Sequence, residues 1–194
     1  MAEKTTTKRI ILEAVVTCIE KYGIDKLTTR KIAEEAGTNI ASINYHFRSK
    51  EELITETLSM TIKHMTDDVN AAMDDTQQPF EKRLEDVFFY LLDGCLRFPG
   101  ISTAHLYKAI SEKKYDAMGA QAIRNVFDRL VKKAVEEYPK RDAEEIRVRL
   151  SQIFSSILFS MLAPNFLSVP KKFQLTSSDN ARRLAASYVE TFIE

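Results

Sequence analysis

Apolar residues recur every three or four positions along nearly the whole chain, and nowhere every second position for long enough to make a strand. A helix turns once per about 3.6 residues, so this spacing lays one apolar stripe along each helix, whereas a half-buried strand needs alternation. The pattern predicts an all-α fold. Its interruptions fall at Gly23, Gly37, the run 74–79 ending in Pro79, Pro99-Gly100, Pro139, and a loop bracketed by Pro164 and Pro170. Glycine ends helices by taking the left-handed conformation; proline ends them by lacking an N–H and crowding the previous turn. These breaks divide 194 residues into about nine helices. No apolar run approaches the roughly 20 residues of a membrane span, and no secretory leader pattern is visible. Cys18 and Cys95 are isolated, with no CxxC pair, which fits a reducing cytoplasm.

The first stripe is Ile10, Ile11, Ala14, Val15, Cys18, Ile19 and Tyr22, stopped by Gly23, with Thr5 to Thr7 available as caps and Lys4, Lys8 and Arg9 at its start. The next segment, 28–47, reads as two short helices about a tight turn. A threonine hydroxyl at 28 or 29 can take an orphan N–H of the first, Gly37 ends it, and Asn39 caps the second through about His46. Ile32, Ala33 and Ala36 face one way, as do Ile40 and Ile43. This is helix-turn-helix spacing, in which the second helix enters the DNA major groove. Ser49 and Glu52 then form a capping box opening a long helix to about residue 73.

Residues 28–53 resemble the DNA-binding module of TetR-family transcriptional regulators. The resemblance is carried by a Thr-Thr-Arg opening, Ile32-Ala33, Ala36-Gly37, Tyr45-His46-Phe47, Ser49-Lys50 and Leu53, and covers roughly residues 5–65. The family usually has a small Gly-Thr pair and an aromatic in the middle of the recognition helix; this chain has Ala41, Ser42 and Asn44. The resemblance implies a head at 1–50, a linking helix from 49, and a ligand-binding and dimerisation body at 51–194. It implies phosphate contacts from Thr29, Arg30, Tyr45, His46 and Lys50. Base edges are expected to meet Asn39, Ile40, Ala41, Ser42 and Asn44: asparagine can bond adenine through both amide atoms, and aliphatic methyls can touch the thymine methyl.

Charge agrees without deciding. The chain is formally neutral, but residues 1–50 hold nine Lys/Arg and six Asp/Glu, a net +3, leaving −3 on the rest. That suits DNA contact at one end.

Beyond residue 79 stripe follows stripe: Phe80, Leu84, Val87, Phe88 and Leu92; a shorter helix at about 102–111; Met118, Ala122, Val126, Leu130 and Ala134; Ile146 to Met161; and Ala181 to Phe192. No catalytic motif appears: no Gly-rich phosphate loop, no GxSxG, no HExxH. His64, Asp67 and Asp68 share a helix face but fall short of a metal-ligand set, and no cofactor is expected. By resemblance, Phe88, Phe89, Cys95, His105, Tyr107 and Met118 lie on helices that surround a cavity for a small apolar or amphipathic ligand, although any one of them taken singly reads more readily as core. Ile146, Leu150, Ile153, Phe154, Ile157, Leu184, Tyr188 and Phe192 are expected at a homodimer interface. A two-fold dimer would present two recognition helices to a palindromic operator in double-stranded DNA. The expectation is a homodimeric repressor released by ligand; the alternative is a helical ligand-binding or interaction module without DNA-binding activity.

Overall fold

A computed structural model describes residues 2–194, with side chains from Thr6 onward, so the expected roles of Lys4 and Thr5 lie outside the described side chains. Among the described residues there are nine α-helices and no strand. They are α1 (Ala2–Tyr22), α2 (Thr29–Glu35), α3 (Ile40–His46), α4 (Lys50–Asp74), α5 (Phe80–Arg97), α6 (Pro99–Ser111), α7 (Met118–Glu137), α8 (Ala143–Leu162) and α9 (Ser178–Ile193), with short 3-10 turns at Ile24–Lys26 and Lys171–Phe173. No helix is long and apolar enough to cross a membrane, among the described residues.

Local chemistry sets the boundaries. Thr28 Oγ1 accepts the Lys31 N–H at the start of α2, and Asn39 Oδ1 accepts that of Ser42 at 2.8 Å at the start of α3. Gly37, at φ +62°, closes α2: its own N–H reaches Glu34 O, and the Thr38 N–H reaches Ala33 O at 2.9 Å. That pair of bonds consumes carbonyls the helix end would otherwise orphan. At α4, Ser49 Oγ accepts the Glu52 N–H as expected, but the Glu52 carboxylate takes the Arg48 N–H rather than that of Ser49. Asp142 accepts two N–H groups at α8, and Ser177 one at α9.

One boundary differs from expectation. The helix expected near 102 starts at Pro99. Proline suits a first helical position because its missing N–H would be unpaired there. The next donors, Gly100 and Ile101 N–H, are taken by the two oxygens of Glu20 at 2.8 and 2.7 Å. A carboxylate from α1 therefore caps α6 across 80 residues of sequence. Gly100 permits the approach, since a Cβ there would stand 2.9 Å from Ile19 O.

The chain forms two compact units. The first is Met1–His64 with Gly100–Gly119, so it runs past residue 50 and takes in α6. Its core gathers Ile11, Val15, Cys18, Ile19, Leu27, Ile32, Ile43, Phe47 and Leu53, joined by Ile101 and Ala104 of α6. The second is Met65–Pro99 with Ala120–Glu194. There α5 packs against α8 and α9, burying Leu84, Phe88 and Leu92 among Leu130, Ile146, Leu150, Ile157, Ala185 and Phe192. Tyr138 stands edge-on to both Phe80 and Phe192, and its hydroxyl donates to Glu81 at 2.6 Å. Buried Asp93 accepts from Ser178 at 2.6 Å and pairs with Arg97 at 2.8 Å, tying α5 to the start of α9.

The Glu20 cap gives a direct test. Glu20→Ala leaves two helix-end donors without their charged acceptor and should destabilise the first unit by about 2 kcal/mol, with Glu20→Gln losing about half of that. Urea unfolding, with hydrogen exchange at Gly100 and Ile101, reads the effect.

Candidate nucleic-acid interface

In α3, Ile43 is 2% exposed and points into the first unit's core. The remaining directions follow from the helical turn. Ala41 and Tyr45 stand opposite Ile43, with Ile40 and Asn44 on one flank and Ser42 and His46 on the other. Exposure agrees: Tyr45 is 70% and Ile40 46% exposed, Ala41 and Asn44 are exposed, and Ser42 and His46 are half-buried. Phe47 is buried, with the Lys8 ammonium 5.4 Å from its ring centre. The expected contact residues thus divide into an outward ridge and supports. Asn39 belongs with the supports, since its Oδ1 already accepts the Ser42 N–H. The His46 ring lies edge-on to Tyr45 at 5.2 Å.

Around this ridge, Thr29 is half-buried at the first turn of α2, and Arg30 is exposed and paired with Glu34 at 3.0 Å. Lys50, at the first turn of α4, donates to Leu27 O at 3.2 Å. Its ammonium therefore already stitches α4 to the loop before α2. Lys8 pairs with Glu56 at 2.6 Å and Lys21 with Glu35 at 2.7 Å.

The residues expected to line a ligand cavity do not gather in either unit. Phe88, Phe89 and Cys95 are in the second; His105, Tyr107 and Met118 are in the first. Phe88 is fully buried core against Tyr188, and Phe89 lies under the Arg182 guanidinium at 3.6 Å. The Cys95 thiol donates to Leu91 O. The Tyr107 hydroxyl bonds Asp25, a carboxylate partner that pushes the phenol's titration up, and Met118 is 38% exposed. Apolar spacing shows which residues turn inward on a helix but not which of two cores they enter.

The expected dimer residues are mostly buried within a single chain. Ile146, Leu150 and Phe192 are fully buried, and Ile153, Phe154 and Ile157 nearly so, within one chain's own core. Leu184 and Tyr188 are partly buried against it. The free surface of α8 is the opposite face, where Val148, Phe159 and Leu162 are 54%, 42% and 44% exposed. Phe166 and Leu167 continue it into the following loop. Between α8 and α9 runs a groove of about 550 Å³ lined by Val148, Arg149, Gln152, Ser156, Tyr188 and Thr191 among others. Ser151, Ser155, Ser156 and Ser160 turn their hydroxyls onto carbonyls of their own helix, so this face presents little unmet polarity.

His105 is a different kind of site. Its Nε2 lies 3.3 Å from Thr61 Oγ1, whose own proton goes to Leu58 O. Nε2 therefore carries the hydrogen, and Nδ1 is left buried with no partner. The start of α7 closes over the same residue: a Cβ on Gly119 would fall 2.0 Å from His105 O. Among the described residues no three His, Cys, Asp or Glu side chains gather as a metal site. Asp68 instead accepts the Tyr90 hydroxyl at 2.7 Å.

Residues 11–57 match the family model described as bacterial regulatory proteins, tetR family. The chain is 26% identical over 155 residues to the nucleoid occlusion factor SlmA of Pectobacterium carotovorum, covering 74% of this chain and 75% of that protein. It is 31% identical over 75 residues to the HTH-type transcriptional regulator BetI of Brucella anthropi, covering 39% of each. Its fold matches the crystal structure of a TetR-family transcriptional regulator from Mesorhizobium loti, with a TM-score of 0.67 and 17% identity over 98% of this chain and 96% of that one.

Burial lowers the His105 pKa to about 4, so the folded ring stays neutral while the unfolded ring gains a proton below about 6.5. Stability held by the neutral ring is complete above the unfolded value and is lost as pH falls toward 4, at most about 3 kcal/mol. His105→Leu should flatten that part of the stability–pH curve, measured by urea unfolding from pH 7.5 to 4.

Proposed function

From a TetR-family DNA-binding head on a TetR-like helical body, we infer a homodimeric transcriptional repressor that binds a palindromic operator and is released by a small apolar or amphipathic molecule. The observation that carries this reading is the outward ridge of α3: four exposed side chains, two of them large hydrophobics, held on a seven-residue helix pinned by Ile43. Exposed apolar groups cost solvation, and a groove-reading helix is the arrangement in which they gain a partner.

Dimerisation is assigned to the outer face of α8 with α9. Val148, Phe159 and Leu162 expose apolar surface there, and the self-bonded serines let a second helix approach without stranding hydroxyls. An isologous contact would set two heads at a fixed spacing. Ligand binding in the body would act through α4, which runs without a break from one compact unit into the other. A shift in head spacing need supply only the usual coupling of about 1–3 kcal/mol. The setting is cytoplasmic.

A second reading comes from SlmA of Pectobacterium carotovorum, three quarters of whose length the match spans. It makes the chain a DNA-binding nucleoid occlusion factor. Immunoprecipitation across the chromosome separates the two: a few sites beside promoters support the regulator, and sites spread widely support the occlusion factor.

Binding to DNA from the chain's own upstream region, followed by fluorescence anisotropy, should be specific and salt-sensitive. Tyr45→Ala and Lys50→Ala should each weaken it across all sequences, and Lys50→Ala, which removes a cation, should also lower the logarithmic salt slope by about one. Unchanged affinity in both would remove the head from the mechanism. Val148→Glu with Phe159→Glu should convert dimer to monomer in sedimentation, since two buried charges without partners cost several kcal/mol.

A further inference from the structure

The ridge of α3 carries a chemical limitation. Bidentate recognition of guanine in the major groove needs two donors aimed at O6 and N7, supplied as a rule by arginine or lysine. The helix reads Ile40, Ala41, Ser42, Ile43, Asn44, Tyr45, His46, with neither residue among them. His46 turns back beside Tyr45 and Phe47. The nearest arginines stand elsewhere: Arg30 is on α2, paired with Glu34, and Arg48 lies past the helix end.

What the ridge does offer is narrower. Ile40 and Ala41 present methyl groups. Two asparagines could in principle meet adenine, which asks for one acceptor and one donor from the same amide. Asn39 cannot supply both, because its Oδ1 is committed to the Ser42 N–H at 2.8 Å. Releasing it would uncap α3, a helix too short to hold without its cap. Asn44, exposed and one turn after Ile40, keeps both amide atoms available on the same flank.

We propose, on the basis of the DNA-binding reading above, that α3 recognises A·T pairs: Asn44 takes an adenine through N6 and N7, and Ile40 and Ala41 pack on the C5 methyl groups of neighbouring thymines. Operator choice at the centre of each half-site then rests on one amide and two aliphatic side chains.

Selection of the full chain from a randomised duplex library, followed by anisotropy on the enriched half-site, tests this. The enriched sites should hold A·T pairs at successive positions. Replacing each contacted thymine by uracil removes one methyl and should weaken binding about fourfold. Asn44→Ala should relax the adenine requirement at one position and cost about tenfold there. Asn44→Arg should move that position toward guanine. Enriched half-sites with an invariant G·C core, or uracil duplexes bound as well as thymine ones, would overturn the proposal while leaving the regulator intact. Failure to bind any duplex would instead overturn the regulator reading beneath it. Asn44 is exposed, and a circular dichroism spectrum equal to wild type confirms that the variants fold.

Discussion

A seven-residue helix has no stability of its own, because nucleation costs more than so few hydrogen bonds return. The short helix α3 (Ile40–His46) therefore depends on what fixes its two ends. Asn39 caps one end, and Phe47, buried beneath Lys8, closes the other. Between them Ile43 is the one fully inward side chain. Losing a buried aromatic or isoleucine costs about 3–5 kcal/mol, more than such a helix can spare. This also explains why outward residues can be chosen freely: they contribute nothing to holding the helix. The Gly37 turn sets where α3 leaves α2, since the left-handed backbone at φ +62° is open to few residues other than glycine.

The same reliance on capping runs through the chain. Five helices receive a side-chain acceptor at their start: α2, α3, α4, α8 and α9, from Thr28, Asn39, Ser49, Asp142 and Ser177. Glu20 differs only in coming from a distant helix, and that distance gives it a second effect. By holding Gly100 and Ile101 it joins α6 to the core of the first unit, where Ile101 and Ala104 are buried. In a body built from amphipathic helices, charged links of this kind select one packing from several of similar apolar content. Asp93 does the same for α5 and α9.

Legibility followed the range of each interaction. Helix number, the turn at Gly37 and the caps at 39 and 49 were readable, and the α2 cap was narrowed to 28 or 29, because each is decided within four residues. The α6 start was not, since its partner Glu20 lies 80 positions away. The extent of the first unit was hidden for the same reason: Ile101 and Ala104 carry an ordinary helical pattern, and nothing local says they join Ile19 rather than Leu92. Inward apolar residues were readable as inward, but Ile146, Leu150 and Phe192 look the same in a monomer core and in a dimer seam. The Ser151–Ser160 face was missed because polarity in sequence is not polarity at a surface once each hydroxyl is turned onto its own helix.

These observations divide the chain's chemistry into parts that vary at different cost. Replacing Ile43, Phe47 or Gly37 disturbs the fold of the head, so their chemistry is tied to stability. Ile40, Ala41 and Asn44 are exposed and carry no core contact, so each could change without loss of folding. The family resemblance takes in Gly37 and Phe47 of the first set, whereas the departures at 41, 42 and 44 lie in or beside the second. Such a division is what a recognition module requires: a frame that every sequence change must respect, and a ridge on which only the partner acts. A neutral chain with +3 on its first 50 residues fits this division, since phosphate contacts position a protein on DNA and base contacts specify.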